Sequence, residues 1–428
     1  MIKKSNNKSN NKSDRRVNKS HSFSGIDSFN ALGDRAKKFV KDVNERARPK
    51  KGAKVKRTKI AILPLLGFEV AVATVLDKKK FEIIPLDITE KNLTEDYGQE
   101  LFGEWCYPLK LTVAMIEKAI VKDHVKKFIG YNINICRYPL VMGDMTKWVK
   151  KDFEYYPVMF KEIGWSTDSC IDIFRELKKA IPGFSFMEAT KKAPIALKRS
   201  LLAGELTNFY FKHLPLVSNP LFVKQDFKKT TREFILAEGV EESEKVAKAF
   251  MERVEKQVVR KKPKFKFLLS GDVSVIVLDF PIFDLDVFLA KNEIELVRPG
   301  FPPTVYHLRY ANNGKKAKEI ISKVLSHKTH KTEVSQHHVI ESSTIYQILE
   351  GIDRGVDGII FIKPNMCAPC ENVSYILKEV KSFGLPIVEI TYDEHQGVNG
   401  IITRLEAFIN IVSETKNRKM ACSQNKSS

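Results

Sequence analysis

Nowhere in the 428-residue chain is there a run of about 18 or more uncharged apolar residues, so no membrane-crossing helix is expected. The N-terminus is polar, with no apolar segment behind its lysines, and a secretory signal is not expected either. Cysteine is scarce, at six residues: Cys106, Cys136, Cys170, Cys367, Cys370 and Cys422. Without an export signal these belong in a reducing cytoplasm, where structural disulfides do not persist. Metal ligation, redox chemistry and plain burial are left. Phosphate-binding loops are missing too. No G-x-G-x-x-G follows a strand, and Asn313-Gly314-Lys315-Lys316 lacks the glycine that precedes it in a phosphate loop. The sequence therefore argues against a P-loop ATPase and a conventional nicotinamide dehydrogenase.

What is abundant is positive charge, and it is unevenly placed. The formal net charge is +20, yet residues 1–59 hold 19 Lys and Arg against 5 Asp and Glu, while the other 369 hold 53 against 47. The opening Lys3-Lys4-Ser5-Asn6-Asn7-Lys8-Ser9-Asn10-Asn11-Lys12 has too little apolar surface to offset the entropy of ordering it. Residues 1–58 are expected to form a disordered basic tail. Such a tail either touches nucleic acid or an anionic lipid surface, or is a solvated extension without a partner.

Beyond the tail, short apolar runs alternate with helical periodicity. Residues 59–67 and 81–88 read as strands, 109–121 as a helix and 128–132 as a strand ahead of Cys136. From 165 to 260 helical spacing dominates, and Lys261-Lys262-Pro263-Lys264 marks a boundary. Strands at 265–272, 294–297, 358–362 and 386–390 then alternate with helices at 286–291, 317–326, 343–354, 373–383 and 401–412. The expected fold class is α/β, with two Rossmann-like open parallel-sheet domains (59–165 and 263–414), a helical middle region (166–262), the disordered basic tail (1–58) and a flexible tail (415–428). No internal repeat is visible, although the first and second α/β units could share a plan. Ligands of such sheets bind at the carboxyl ends of the strands, so the loops that follow strands carry the candidate chemistry.

Three cysteines fall in such places: Cys106 just before a helix, Cys136 just after a strand, and Cys367 five residues beyond Ile362. Thiolates suit soft metals and iron–sulfur centres, and a helix N-terminus favours the thiolate. Spacings of 30 and 231 residues match no local ferredoxin or zinc-finger pattern, and by themselves favour structural cysteines. Cys367-Ala368-Pro369-Cys370 is a C-x-x-C, either a redox pair or half of a zinc site, and no second one accompanies it. Cys170, in a helical stretch, and Cys422, near the end of the chain, are not expected to be ligands. Of the clustered histidines, His327 and His330 sit in a lysine-rich polar loop, while His338 precedes a helix whose start Ser342 or Ser343 is placed to cap. Asp393-Glu394-His395 follows a strand and offers either acid–base groups or a cap for the last helix.

Taken together, Gly355-Val356-Asp357-Gly358-Ile359-Ile360, Cys367-Ala368-Pro369, Gly384-Leu385-Pro386-Ile387, Asp393-Glu394-His395-Gln396-Gly397 and Thr403-Arg404-Leu405-Glu406-Ala407-Phe408 resemble one family. So do Glu104-Trp105-Cys106-Tyr107-Pro108-Leu109-Lys110-Leu111, Cys136-Arg137, Ser270-Gly271-Asp272 and His338-Val339-Ile340-Glu341-Ser342. That family is the 2-hydroxyacyl-CoA dehydratase D-component superfamily, in particular its activase-related (CoA protein activase) branch. The resemblance runs through residues 59 to 413. It implies that Cys106, Cys136 and Cys367 hold a 4Fe-4S cluster, with one iron left to a non-cysteine ligand. It further implies low-potential reduction or dehydration of an acyl-CoA-like substrate, an ATP-dependent activator protein that supplies the electron, and a related subunit as partner. Glu341, Ser342 and Glu394 are then candidates for the catalytic polar wall of the pocket. A non-catalytic iron–sulfur scaffold or electron relay is the alternative. Val339 and Cys370 depart from the family pattern, in which a glycine is usual where Cys370 stands, and the basic tail is foreign to it.

If the tail binds phosphate, binding of the full-length chain to RNA or DNA falls steeply as salt rises and disappears when residues 1–58 are deleted. An electrophoretic-mobility titration across salt concentrations checks this, and binding that survives the deletion refutes it.

Overall fold

The structure is a computed structural model describing residues 57–64, 68–86, 93–97, 106–133, 154–160, 175, 177, 178, 181, 184–271, 284–298, 339–365, 367–379, 384–393 and 397–424. Cys136, Cys170, His338, Glu394, the expected helix at 317–326 and nearly all of the basic tail lie outside the described residues, as do the side chains of Glu341, Ser342 and Cys422.

Strands β1 (Thr58–Ile62), β2 (Phe81–Pro85), β3 (Lys127–Ile133) and β4 (Glu154–Phe160) form a parallel sheet in the order β2-β1-β3-β4. Helices α1 (Phe68–Val75), α2 (Leu93–Asp96) and α3 (Tyr107–Asp123) lie between its strands in the chain. The apolar run Ile60-Ala61-Ile62 is fully buried, as a parallel strand covered on both faces must be. Register is set by pairs such as Ile60 opposite Ile83 and Ile62 opposite Ile129.

The middle region is helical, as the spacing predicts: α4 (Phe186–His213), a 3-10 turn at Leu214–Leu216, α5 (Pro220–Leu236) and α6 (Val240–Glu255). Ser185 caps α4 by accepting from the Glu188 N–H at 3.3 Å, and Asn219 caps α5 through the Phe222 N–H at 3.2 Å, with Pro220 in its first turn. Helix α5, within the stretch read as helical, buries Val223, Phe227, Thr230 and Phe234 along one stripe.

A second parallel sheet follows, of β5 (Phe265–Gly271), β6 (Ile294–Val297), β7 (Gly358–Pro364) and β8 (Ile387–Tyr392), in the order β6-β5-β7-β8. Its helices are α7 (Leu285–Lys291), α8 (Val339–Asp353), α9 (Ala368–Glu379) and α10 (Val398–Gln424). Both sheets thus share one strand order, second-first-third-fourth, a repeated plan that the sequence does not display as a repeat. Helix α10 runs on to Gln424 through residues read from composition as a tail, and Lys416 holds it there with an ion pair to Asp357 at 2.9 Å. Among the described residues no helix is long and apolar enough to cross a membrane.

Helix α4 joins the two halves through two buried charges. Arg199, 1% exposed, donates to Thr74 Oγ1 of α1 (2.6 Å), Ser243 Oγ of α6 (2.8 Å) and the Phe234 carbonyl at the end of α5 (2.5 Å). Burial pushes its guanidinium down to about 10, so it remains charged at neutral pH. Farther along α4, buried Tyr210 donates to Asp286 Oδ2 of α7 at 2.6 Å, and Lys224 of α5 pairs with Asp286 Oδ1 at 2.6 Å.

Replacing Arg199 with Leu leaves the Phe234 carbonyl and the Ser243 hydroxyl short of a donor, and should cost about 3 kcal/mol of stability. Arg199→Lys should recover only part of it, because one ammonium cannot reach all three elements. Denaturant titration of both variants checks this; a Leu variant as stable as the parent refutes the role.

Candidate functional site

In each sheet the chain first steps to one side of the opening strand and then crosses to the other, so the direction of winding reverses between β1 and β3 and between β5 and β7. These are the switch points, and the crevices outside their carboxyl ends are where ligands of such sheets bind. Cys367 follows β7 by three residues and Cys136 follows β3 by three, so both cysteines stand in sequence just beyond a switch-point strand. A helix that precedes a parallel strand runs antiparallel to it, which puts the N-termini of α3 and α8 at the carboxyl edges as well. Cys106 is the residue that caps α3, with φ −65° and ψ 147°, and Glu341 and Ser342 lie in the first turn of α8.

Cys106 and Cys367 occupy like positions on their helices. Each is followed by Cys-X-Pro spacing, Tyr107-Pro108 in one and Ala368-Pro369 in the other, and each carbonyl accepts the first helical hydrogen bond, from Lys110 N (3.2 Å) and Glu371 N (3.0 Å). Pro fits this place because the first helical turn has no partner for its N–H. Both side chains are partly buried thiols.

The two edges meet. The Tyr107 ring packs edge-on against buried Tyr392 at the end of β8, 5.6 Å between centroids. Asn365, in the loop between β7 and Cys367, donates its N–H to the Tyr392 carbonyl (2.9 Å) and its side-chain amide to Asp393 Oδ2 (3.2 Å). Lys110, one turn into α3, is buried; burial lowers its ammonium, the nearby charges of Asp393 and Cys106 offset only part of this, and the net direction is down. Cys106, Lys110, Asp393 and the Asn365–Cys367 loop therefore share one neighbourhood between the sheets.

The floor of the second crevice is built for close approach. Gly271 ends β5 at φ +128°, and a Cβ there would overlap the Ile362 carbonyl oxygen of β7, so only glycine fits. Ser270, beside it, donates to Gln347 Oε1 of α8 at 3.0 Å. On β7, Lys363 is 5% exposed and its ammonium contacts Glu371 and Glu389, each at 2.7 Å, and Ser374 Oγ at 3.1 Å. Burial pushes this lysine down, but the hydrogen bonds it donates to Glu371 and Glu389, together with their charges, more than offset it, and the net direction is up.

Among the described residues no three His, Cys, Asp or Glu side chains converge as a metal-binding group. Two of the three expected cluster cysteines are placed at the facing edges; Cys136, like Glu394, lies outside the described residues. The donor chemistry suits an iron–sulfur centre: partly buried thiols at helix N-termini, with the buried Lys110 near Cys106. Sequence reasoning missed Lys363 and Asn365. A lysine within Ile359-Ile360-Phe361-Ile362-Lys363 reads as the point where a strand surfaces, and only its own burial between two carboxylate partners shows otherwise. Compared with family models and with curated proteins, the chain matches none.

Lys363→Met should destabilise the fold by about 2 kcal/mol, by leaving Glu389 and Ser374 without their donor. Because the folded-state lysine is raised above its ordinary 10.5, its contribution is fully present below that pH and is lost as pH rises through the raised value. Denaturation of parent and variant should thus differ by a constant amount from neutral pH up to 10.5 and converge above it; a gap that widens there contradicts the assignment.

Proposed function

We propose that the chain is an iron–sulfur protein allied to the 2-hydroxyacyl-CoA dehydratases, working in the reducing cytoplasm, with Cys106, Cys136 and Cys367 holding a 4Fe-4S cluster between two Rossmann-like units. What supports this most is the contact of Tyr107, beside Cys106, with Tyr392 at the end of β8, to which Asn365, two residues before Cys367, is also bonded. When bound, such a cluster supplies a low-potential electron to an acyl-CoA-like substrate, having received it from an ATP-dependent activator protein; a related subunit is the expected partner. The chain's own residues then have distinct tasks. Lys110 offsets the negative charge of the thiolates. Asn365 orients Asp393 and ties the Cys367 loop to β8. Gly271 lets the end of β5 lie close against the β7 backbone at Ile362. Glu341, Ser342 and Glu394 are the polar groups assigned to the substrate side.

Protein purified without oxygen and reconstituted should contain about four iron and four acid-labile sulfide per chain. Cys106→Ala, Cys136→Ala and Cys367→Ala should each lose most of that iron, while remaining folded by circular dichroism. No iron after reconstitution, or full iron in all three variants, overturns the proposal.

A further inference from the structure

The C-x-x-C of the sequence has a geometry that cluster ligation does not use. Cys367 is the half-in residue that caps α9 and is partly exposed, while Cys370, three residues on, is fully buried. The two belong to one apolar cluster, with Cys370 in its interior beside Val373 and Ile376, and Cys367 packed on its margin. A spacing of three residues puts both Cβ atoms on the same side of the helix end, about 5–6 Å apart. A disulfide needs about 3.8 Å, and the capping residue, whose backbone is outside the helix, can take up the difference.

The rest of the helix start is held firmly. Ser374 Oγ donates to the Cys370 carbonyl at 3.2 Å and accepts from Lys363 at 3.1 Å, so the backbone at Cys370 is tied to β7. The inner thiol is fixed and shielded; the outer one stands at the open edge of the switch-point crevice.

We propose that Cys367 and Cys370 form a thiol–disulfide exchange site, with Cys367 as the attacking sulfur, Cys370 as the resolving one, and a low-molecular-weight disulfide such as glutathione disulfide as oxidant. The Cys367 thiolate attacks one sulfur of the oxidant, its S–S bond breaks, and the first thiolate leaves, taking up the proton that Cys367 lost. Cys370 then attacks the Cys367 sulfur, the mixed disulfide breaks, and the second thiolate departs with the Cys370 proton. Two protein thiols become one disulfide, and one small disulfide becomes two thiols. This chemistry stands on the two cysteines alone and needs no cluster. Disulfide closure and cluster ligation are exclusive uses of the Cys367 sulfur, so oxidation withdraws the site from metal binding.

The test uses the full-length chain without iron, which separates it from the cluster reading. The protein is equilibrated with glutathione and glutathione disulfide at several ratios, free thiols are alkylated, and the peptide holding both cysteines is weighed. The parent should pass from the doubly alkylated form to one lighter by two hydrogens and without label as the mixture becomes oxidising. Cys370→Ala should instead accumulate glutathione on Cys367, about tenfold more than Cys367→Ala accumulates on Cys370. Should either variant misfold, the parent titration decides alone. A parent peptide that stays doubly alkylated at every ratio overturns the proposal, as does equal labelling of the two folded variants.

Discussion

The buried guanidinium of Arg199 is the interaction on which the rest of the arrangement depends. It reaches three separate elements: the α1 helix of the first sheet through Thr74, the end of α5 through the Phe234 carbonyl, and the start of α6 through Ser243. A buried cation without such partners is costly; carbonyl and hydroxyl oxygens accept its hydrogen bonds, and the charge of Glu242 favours it from nearby. Eleven residues further along α4, about 16 Å at the helical rise, Tyr210 and Lys224 meet Asp286 at the start of α7. One helix thereby carries a cation bolted to the first half and a tyrosine bolted to an anion of the second. The helical region is in this sense a spacer with polar fastenings at both ends, and its length sets how the carboxyl edges of the two sheets can meet.

Much of this was legible in the sequence wherever local pattern decides structure. Buried parallel strands such as Gly358-Ile359-Ile360-Phe361-Ile362 announce themselves as unbroken apolar runs, and the strand boundaries at β1, β2, β5 and β6 fall within a few residues of the expected ones. Strand β4, with Tyr155, Tyr156 and Pro157 among its residues, gave no clean run and was not expected; its place comes from pairing with β3 along seven residues. Helix α10 outlasts its apolar stripe because Lys416 finds Asp357 and the face of Phe265, a tertiary anchor that no window of sequence contains. Site residues divide the same way. Cysteines near strand ends could be picked out, since chemistry and loop position coincide. The meeting of Tyr107 with Tyr392, separated by most of the chain, could not.

The shared strand order of the two sheets gives the cysteine positions a structural logic. In each sheet the third strand lies at the switch point, and in each a cysteine follows that strand by three residues, Cys136 and Cys367. Cys106 belongs to a different place in the plan, at the start of the helix that leads into the third strand. The corresponding helix of the second sheet is α8, whose first turn carries Glu341 and Ser342. The two halves thus offer different chemistry from equivalent positions: a thiol on one side, a carboxylate and a hydroxyl on the other. The likeness of the two halves lies in the strand order, not in the residues at matching places.

Cys370 sharpens the question of what the second edge is for. Burial accounts for an apolar side chain at this position, in one cluster with Val373 and Ile376. Glycine here would leave the helix start looser and the cavity unfilled. Cysteine adds a reactive sulfur to that packing, and reactivity matters here because the neighbour three residues back is the partly exposed Cys367. Lys363 adds to the argument from below. Glu371 and Ser374 tie the first turns of α9 to Lys363 of β7, so the inner sulfur is held against the strand. The Cys367 backbone is bonded as well, through its N–H to Pro364 and its carbonyl to Glu371, so closing a disulfide falls to the rotation of its side chain at the helix end.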